Sequence, residues 1–246
     1  MDSKVAVIIC AAGKSSRFDG KKKKPFEDVN GKAAFLYSLE LFSEFDCVKQ
    51  ILVAIAADQQ ELVEIKWGAN LEFFGAKTFI GGNERFETVQ KGLGLIKDDI
   101  DIIAVHDAAR CCVTKEWVEK VFEKAAKTKA AMLACPITAT VKRVKKGVIV
   151  ETIDRSELFE AQTPQVFDAA LLKKAYANIG KLDKARISDD SQLVEAMGQE
   201  VSIVETDFSN IKITTKSDIP IAEAILKNRP KPKQDGYIGP YGEAKW

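Results

Sequence analysis

The chain has 246 residues, of which 46% are hydrophobic and 30% are charged. This composition is typical of globular domains and excludes disordered, collagen-like and coiled-coil proteins. Because 37 basic residues are balanced by 36 acidic residues, the net charge is only +1, too little to attract nucleic acid or an anionic membrane. The sequence therefore predicts no nucleic-acid or membrane partner, and any site for an anion must be local.

Cysteine and histidine usage narrows the compartment and the chemistry. The five cysteines contain no C-x-x-C pair, which is typical of free buried thiols in a reducing compartment. The N-terminal apolar run at 5–12 is too short for a membrane span and lacks the flanks of a signal peptide, so a cytoplasmic protein is expected. His106 is the only histidine, which excludes histidine-rich zinc sites and leaves one base for a serine or cysteine nucleophile.

Short runs rich in valine and isoleucine predict buried strands, and helical spacing of apolar residues between several of them predicts amphipathic helices. The strands are predicted at 5–10, 51–56, 78–80, 102–105, 131–135 and 201–204, and the helices at 35–45, 86–96, 117–125 and 218–227. This alternation predicts an α/β fold with an open, mainly parallel twisted sheet that helices cover on both faces, as in Rossmann-like proteins. One domain is expected over residues 1–228.

Residues 137–155 interrupt the alternation and predict a protruding β-hairpin arm. Two strand-like runs, 138–144 and 148–154, are joined by Lys145-Lys146-Gly147, which suits a hairpin turn. An isolated hairpin is only marginally stable, so we expect the arm to pack on a second subunit of a homodimer. Residues 229–246 are rich in proline, glycine and lysine and predict an irregular C-terminal tail.

The first predicted strand ends in Ala11-Ala12-Gly13, and such a small-residue turn is a common phosphate site in α/β proteins. A Walker A loop is excluded because Ile8 stands where it needs glycine, and the G-x-G-x-x-G fingerprint is absent as well. From residue 14 to 24, six basic residues oppose one acid, Asp19. A solvated lysine run or an address signal would explain this density alone. Its place directly after the turn favours a polyphosphate site.

Two further polar segments follow predicted strands. Gly81-Gly82-Asn83-Glu84-Arg85 precedes a helix that contains Thr88, and His106-Asp107-Ala108-Ala109-Arg110 follows the strand at 102–105. Loops at the carboxyl ends of the strands line one crevice in an open α/β sheet. Each segment alone could be a turn, a helix cap, a strand end or a surface charge, but together they predict one pocket.

At these residues the sequence resembles the 2-C-methyl-D-erythritol 4-phosphate cytidylyltransferases of the non-mevalonate isoprenoid pathway, over roughly residues 5–227. The resemblance is carried by Ala11-Ala12-Gly13 with Arg17, Lys24-Pro25-Phe26, Gly81-Gly82 with Arg85 and Thr88, His106-Asp107-Ala108-Ala109-Arg110, Thr140-Val141-Lys142-Arg143, Asp154-Arg155, Thr163-Pro164-Gln165 and Asn210-Ile211-Lys212-Ile213-Thr214. The chain departs from the family's usual pattern mainly on the acceptor side. Cys111 stands where proline is common, Ser188 where threonine is usual, and Lys23 where proline precedes the lysine.

The resemblance implies that a phosphate oxygen of a sugar-alcohol phosphate attacks the α-phosphorus of CTP and releases pyrophosphate. It implies catalytic roles for Arg17, Lys24, Arg155 and Lys212, with Lys24 preferred over Lys23. It assigns nucleotide binding to Ala11, Ala12, Gly13, Gly82, Asn83, Thr88, Asp107 and Ala108. It assigns acceptor binding to Arg110, Thr140, Thr163 and Ser188.

The expected cofactor is Mg²⁺, held mainly by phosphate oxygens, with Asp107 as the one carboxylate named near it. The resemblance also favours a homodimer through the arm. Two alternatives stay open: a ribitol 5-phosphate cytidylyltransferase, whose usual Asp-Ala-Val-Arg run differs from residues 107–110 here, and a nucleotide-binding regulator without turnover. The simultaneous presence of Arg17, Lys24, Arg155 and Lys212 argues against the regulator.

Overall fold

The computed structural model describes residues 2–13 and 24–229. Within these residues the strands form one large sheet and two small two-stranded sheets. The strands are β1 (Val5–Cys10), β2 (Asp28–Val29), β3 (Lys32–Ala33), β4 (Val48–Ile55), β5 (Ala76–Ile80), β6 (Ile102–Asp107), β7 (Ala130–Pro136), β8 (Val141–Lys145), β9 (Val148–Ile153), β10 (Phe159–Asp168) and β11 (Ser202–Glu205). All six strands expected from the sequence are present.

The main sheet has seven strands in the order β5-β4-β1-β6-β10-β7-β11. Strand β10 runs antiparallel to both its neighbours, β6 and β7, whereas the other neighbouring pairs are parallel. The prediction of an open, mainly parallel sheet is therefore confirmed. Ile8 of the central β1 pairs with Leu52 on one side and Val105 on the other, so the strand is shielded from water along both edges.

Helices cover both faces of this sheet, as the alternating pattern predicts. They are α1 (Ala34–Ser43), α2 (Gln60–Phe73), α3 (Arg85–Leu93), α4 (Lys115–Thr128), α5 (Ala169–Ala177), α6 (Ser191–Glu195) and α7 (Asp218–Lys227). Side chains alternate across a strand, and Val7 of β1 packs in one core cluster with Phe42 of α1. Its neighbour Ile8 packs in the other cluster with Val89 of α3.

The arm is a two-stranded ribbon of β8 and β9 that is separate from the main sheet. Lys145 pairs with Val148, and the two residues between them, Lys146 and Gly147, have φ of +49° and +80°, which matches a tight hairpin turn. Its apolar side chains lie open to solvent in the single chain, with Val148 65% and Ile149 60% exposed. The hairpin itself is confirmed, and its role in a dimer stays a prediction.

Other expectations from composition concern thiols, membranes and the tail. All five cysteines are free, as predicted, and Cys111, Cys112 and Cys135 are buried, whereas Cys10 and Cys47 are half-buried. Across residues 2–13 and 24–229, no helix is long and apolar enough to cross a membrane. Arg229, the last described residue, donates from Nη1 to the carbonyl oxygen of Val113 at 3.4 Å, and the rest of the predicted tail lies outside the described residues.

Candidate active site

A cavity of about 200 Å³ opens where the segments after β1, β5 and β6 meet. Such a crevice at the carboxyl ends of the strands is the usual ligand site of an open α/β sheet. Its wall is formed by Cys10, Ala12, Gly13, Pro25, Gly82, Asn83, Glu84, Arg85, Thr88, Asp107, Ala109 and Lys212. The segments that the sequence assigned to one pocket are therefore brought together, with Lys212 added from the loop after β11.

Ala11 and Ala108 lie behind this wall and are fully buried. The N–H of Ala11 donates to the carbonyl oxygen of Ala54, and the N–H of Ala108 donates to that of Cys10. These bonds extend the sheet pairing by one residue beyond β1 and β6. The two alanines thus hold the turns that follow β1 and β6 against the sheet.

Two glycines let the loop after β5 pack closely, Gly81 against the first turn and Gly82 against α3. A Cβ built on Gly81 would overlap the Cβ of Ala12, and one built on Gly82 would overlap the Cβ of Glu87 and lie 2.9 Å from its backbone carbonyl carbon. Real Cβ atoms do not approach other atoms so closely. Any side chain at either position would therefore push the loop away from its place on the cavity wall.

Thr88 and Glu87 of α3 tie this loop down by hydrogen bonds. The Oγ1 of Thr88 accepts from the N–H of Gly82 at 3.0 Å and donates to the carbonyl oxygen of Glu84 at 3.2 Å. The Oε2 of Glu87 accepts from the N–H of Asn83 at 2.8 Å, and Glu84 caps the helix. Thr88 lies on the cavity wall, but the proton and one acceptor site of its hydroxyl are used to shape the loop.

Asp107, at the end of β6, is the centre of the charge cluster in the cavity. Its Oδ2 accepts from Nζ of Lys212 at 2.6 Å, and its Oδ1 accepts from Nε of Arg85 at 3.2 Å. The Nε of Arg110 lies 3.9 Å from Oδ2. Burial alone would raise the pKa of Asp107, but Lys212, Arg85 and Arg110 hold that pKa well below its usual range. Asp107 is thus ionised at neutral pH and orients the basic side chains around it.

Arg85 bridges Asp107 to a second buried carboxylate, which the sequence did not assign to the site. Its Nη1 lies 2.7 Å from Oδ2 of Asp190, and Tyr176 Oη donates to Oδ1 of Asp190 at 2.5 Å. Burial opposes the charge on Arg85, but Asp190 and Asp107 raise its pKa well above the ordinary value. The only sequence signal for Asp190 is its place directly after Ser188-Asp189.

His106 is fully buried and cannot act on a ligand in the cavity. Its Nε2 lies 3.1 Å from Oγ of Ser38, and its Nδ1 lies 3.1 Å from Oγ1 of Thr163. Burial lowers the pKa of His106 to about 3, so the ring is neutral at pH 7. Thr163 also accepts from the N–H of Asp107 at 3.0 Å. Both side chains therefore support Asp107 from behind.

Two predicted acceptor residues, Arg110 and Ser188, occupy different surroundings. Arg110 is 5% exposed and donates to the carbonyl oxygens of Asn210 and Ala161 at 2.7 and 3.2 Å, and burial lowers its pKa. Ser188 lines a neighbouring cavity of about 370 Å³, which shares Glu84 and Arg85 with the first cavity.

Thr140 and Arg155 lie together at the base of the arm. Nη1 of Arg155 donates to Oγ1 of Thr140 at 3.4 Å, and both side chains are exposed. Neither belongs to the wall of the cavity within a single chain. Arg17 and the side chain of Lys24 lie outside the described residues, so their expected roles rest on the sequence.

The side chains at the cavity can be compared with those that the expected Mg²⁺ site requires. In the part of the chain that the structure describes, no group of three or more histidine, cysteine, aspartate or glutamate side chains is arranged to hold a metal ion. Asp107 is on the wall, but Lys212 and Arg85 already bind its two oxygens. This donor set fits a Mg²⁺ ion held mainly by phosphate oxygens of a ligand and by water, as is common for Mg²⁺, and does not fit a metal held by protein alone.

Comparisons with known proteins agree on one family. The family model described as 2-C-methyl-D-erythritol 4-phosphate cytidylyltransferase matches residues 5–228. A protein of that name from Endomicrobium trichonymphae is 46% identical over 226 residues, which covers 92% of this chain and 100% of the relative. Another from Halalkalibacterium halodurans is 37% identical over 226 residues, 91% of this chain and 97% of the relative.

The fold matches crystal structures that carry related names. The 4-diphosphocytidyl-2C-methyl-D-erythritol synthase from Anaerococcus prevotii superposes with a TM-score of 0.79 at 27% identity, covering 92% of this chain and 96% of that one. The 2-C-methyl-D-erythritol 4-phosphate cytidylyltransferase from Thermus thermophilus gives 0.76 at 29% identity, covering 91% and 99%.

Proposed function

The chain belongs to the 2-C-methyl-D-erythritol 4-phosphate cytidylyltransferase family, and on this basis we propose how its residues carry out the reaction. The enzyme transfers a cytidylyl group from CTP to 2-C-methyl-D-erythritol 4-phosphate, giving 4-diphosphocytidyl-2-C-methyl-D-erythritol and pyrophosphate. This is a step of isoprenoid precursor synthesis by the non-mevalonate route. The observation that carries the function is the match over residues 5–228 together with a relative at 46% identity, and it favours methylerythritol phosphate over ribitol 5-phosphate.

The reaction needs charge stabilisation and alignment more than a protein nucleophile. An acceptor phosphate oxygen attacks the α-phosphorus as the bond to pyrophosphate breaks, and negative charge spreads over the surrounding oxygens. Cations fixed before the reaction stabilise such a transition state. The burial of His106 supports a mechanism without a histidine base.

We propose that, among the described residues, Lys212 is the cation that binds the α-phosphoryl group. It lies on the cavity wall, and its ammonium binds Asp107 at 2.6 Å. An ammonium has three N–H donors, so Lys212 can keep its bond to Asp107 and still donate to phosphate oxygens. We propose that Arg17 and Lys24 hold the triphosphate alongside it, as the resemblance implies.

We propose that Asn83 recognises the cytosine edge and that Thr88 acts by shaping the loop. The Asn83 side chain is exposed on the cavity wall, and its amide offers an acceptor for the cytosine amino group and donors for N3 or O2. Gly82 donates its N–H to Thr88. We propose that the close packing that the two glycines allow narrows the pocket and so excludes purines.

For the acceptor, we propose that Thr140 and Arg155 bind its phosphate from the arm of a second subunit. Their exposure at the base of an uncovered ribbon supports this arrangement. Ser188 lies in the adjoining cavity and is proposed to bind the acceptor there. Arg110 and Thr163 are buried, and we propose that they act by holding Asp107 rather than by touching the acceptor.

We propose Mg²⁺ as the metal, bound chiefly by the triphosphate with Asp107 as the one protein carboxylate beside it. When bound, it neutralises charge on the phosphate oxygens and so makes the α-phosphorus more open to attack. The role of Asp107 in this proposal is to hold Lys212 and, when phosphates arrive, to share that cation with them.

The test is turnover by the purified protein with Mg²⁺, each nucleoside triphosphate and either 2-C-methyl-D-erythritol 4-phosphate or ribitol 5-phosphate, followed by pyrophosphate release. CTP with the methylerythritol phosphate should give the highest kcat/KM. Lys212→Met should lower kcat about 10²- to 10³-fold, whereas Lys216→Met, at an exposed position in the same loop, should not. Equal turnover of ATP, or higher kcat/KM with ribitol 5-phosphate, would contradict the proposal.

A further inference from the structure

Four contacts link five side chains into a continuous chain from the helix layer to the cavity. Tyr176 Oη donates to Oδ1 of Asp190 at 2.5 Å, and Oδ2 of Asp190 lies 2.7 Å from Nη1 of Arg85. Nε of Arg85 donates to Asp107 at 3.2 Å, and Nζ of Lys212 donates to Asp107 at 2.6 Å. The five residues come from separate segments of the sequence, so this network of contacts exists only in the folded protein.

The distal end of this network is anchored in the core. Tyr176 of α5 belongs to a buried cluster of apolar side chains, and Asp190 is 0% exposed. Oε1 of Gln165 accepts from the backbone N–H groups of Asp190 and Ser191 at 3.0 and 3.1 Å. Tyr176 and Asp190 are absent from the wall of the first cavity, and Arg85 is the side chain that joins Asp190 to Asp107 on that wall.

Arg85 is held between two buried carboxylates, which fixes its direction. A buried carboxylate without a cation is strongly destabilising. Arg85 is the one cation paired with Asp190 among the described residues, so Arg85 cannot leave Asp190 without that cost. The guanidinium meets the two with different nitrogens, Nε and Nη1. A lysine ammonium is a single compact charge and lacks this planar fork. Geometry as well as charge is therefore specific to arginine here.

The other end of the network needs such an anchor because Lys212 has a long, flexible side chain that is 40% exposed. Its one charged partner among the described residues is Asp107. The position of its ammonium thus depends on how firmly Asp107 is held, and Arg85 is the side chain that binds the other carboxylate oxygen of Asp107.

We infer that Arg85 is a positioning residue for Lys212: anchored by Asp190 and Tyr176, it fixes the Asp107 carboxylate, which in turn places the Lys212 ammonium where the reacting phosphate binds. The inference rests on the proposed function, in which Lys212 contacts phosphate oxygens. It assigns to Arg85, Asp190 and Tyr176 a role in kcat, although Asp190 and Tyr176 do not touch the substrate.

The experiment uses Arg85→Met, Arg85→Lys and Tyr176→Phe, each alone and combined with Lys212→Met, with kcat and KM for CTP measured by pyrophosphate release. Misplacement of a reacting group by about 1 Å can cost ~10²-fold, and Arg85→Met should lower kcat by about this factor with little change in KM. Tyr176→Phe removes one hydrogen bond and should lower kcat by about tenfold or less. Arg85→Lys should not restore wild-type kcat.

The decisive comparison is with the Lys212→Met background. If Arg85 and Tyr176 act through Lys212, their substitutions should lower kcat no further once Lys212 is gone, because residues in one network are not additive. A structural role alone would give losses that multiply in the two backgrounds, and that outcome would overturn the inference. Full recovery of kcat by Arg85→Lys would also overturn it, since charge alone would then suffice.

Two controls keep the outcomes distinct. Lys120→Met removes an exposed ion pair with Glu116 on α4 and should leave kcat unchanged. Thermal melting checks the fold, and if Arg85→Met does not fold, Tyr176→Phe still carries the test because it keeps both contacts of Arg85. A wild-type protein without turnover of CTP overturns the proposed function and this inference together, whereas multiplying losses in an active enzyme overturn the inference alone.

Discussion

His106 and Thr163 lie on β6 and β10, with Nδ1 of the histidine 3.1 Å from Oγ1 of the threonine. The same threonine oxygen accepts the N–H of Asp107 at 3.0 Å. One buried hydroxyl therefore satisfies the histidine and fixes the backbone of the residue that organises the charge cluster. The neutral ring of His106 is therefore part of the hydrogen-bonded structure that supports Asp107 beneath the cavity.

Protonation of His106 should destabilise the fold as the pH falls from about 6.5 toward 3. Burial lowers its pKa to about 3, so the unfolded chain, with an ordinary pKa near 6.5, binds the proton more tightly than the folded one. The free energy of unfolding should then fall by up to about 1.4 kcal/mol per pH unit within this window. Urea unfolding between pH 7 and 5 measures the slope.

His106→Gln is the matched variant, because His106 is the only histidine in the chain. It should be less stable at pH 7, through the loss of its contacts, but its stability should be nearly independent of pH between 7 and 5. Carboxylates, including Asp107 with its lowered pKa, lose their contribution at lower pH. An unchanged slope in the variant would show that His106 is not the titrating group.

Strand β10 shows why sequence patterns alone miss part of this fold. The strands with continuous apolar runs, such as β1 and β6, are predictable because both faces are buried. Strand β10 carries Gln162, Thr163 and Gln165, whose polar side chains are buried only because distant residues satisfy them. Gln162, for example, accepts from Thr206 and Asn210, 44 and 48 residues away.

The candidate site, like the fold, could be predicted from the sequence only in part. The turns that line the cavity follow predictable strands, so the sequence alone predicts that Gly82 and Asp107 share one pocket. The anchoring of Asp107 could not be predicted. Tyr176 has no local signal, Asp190 has only its place after Ser188-Asp189, and the two side chains meet only through tertiary packing. Helix α2 was not predicted from the sequence either. Only two of its residues, Val63 and Leu71, are buried, so its sequence shows almost no apolar stripe.

Gly81→Ala should damage stability and nucleotide binding together. The added Cβ would overlap the Cβ of Ala12, and overpacking of this kind typically costs about 1–3 kcal/mol. Because Ala12 is on the cavity wall, KM for CTP should rise as well. Urea unfolding and steady-state kinetics measure the two effects.

Gly68→Ala is the control, since a Cβ there meets nothing within 4 Å and Gly68 lies inside α2. It should raise the free energy of unfolding by about 0.5–1 kcal/mol, as alanine favours a helix over glycine, with unchanged kinetics. Equal stability of Gly81→Ala and the wild-type protein would mean that the two turns are not in close contact.

Asn83→Leu should weaken CTP binding without affecting the fold. Asn83 is exposed, so Tm should stay near that of the wild-type protein, and the loss of hydrogen bonds to the base should raise KM for CTP by about tenfold. Thr88→Val is the contrasting variant. It removes the acceptor for the N–H of Gly82 and should lower Tm. An unaltered KM in Asn83→Leu would exclude that side chain from base recognition.

Within the basic run, Arg17 and Lys24 should differ from their neighbours. Removal of one cation that stabilises the transition state typically lowers turnover by about 10²- to 10³-fold. Arg17→Ala and Lys24→Ala should therefore lower kcat strongly, whereas Lys21→Ala and Lys22→Ala should have mild effects. These positions, apart from the backbone of Lys24, lie outside the described residues, so the prediction rests on the sequence. If all three lysine variants behave alike, the assignment of Lys24 is wrong.

The arm provides the prediction that tests the dimer. Val148 and Val150 of β9 are two residues apart and therefore lie on one face of the ribbon. Both are exposed, and exposed apolar patches mark interaction surfaces. We predict that a second subunit covers this face and that Arg155, at the base of the arm, serves the partner's cavity. Each active site would then combine Lys24 and Lys212 of one chain with Arg155 of the other.

This arrangement predicts that two inactive variants restore activity when they form a mixed dimer. Lys24→Ala and Arg155→Ala subunits should each be nearly inactive as homodimers. In a mixed dimer, one site carries both substitutions and the other carries neither, so co-expression should restore activity to about one intact site per mixed dimer. Tandem affinity tags isolate the mixed species, and size-exclusion chromatography with light scattering reports its mass. If the wild-type chain is a monomer, or if verified mixed dimers stay inactive, Arg155 does not serve the partner's site and the arm has a different role.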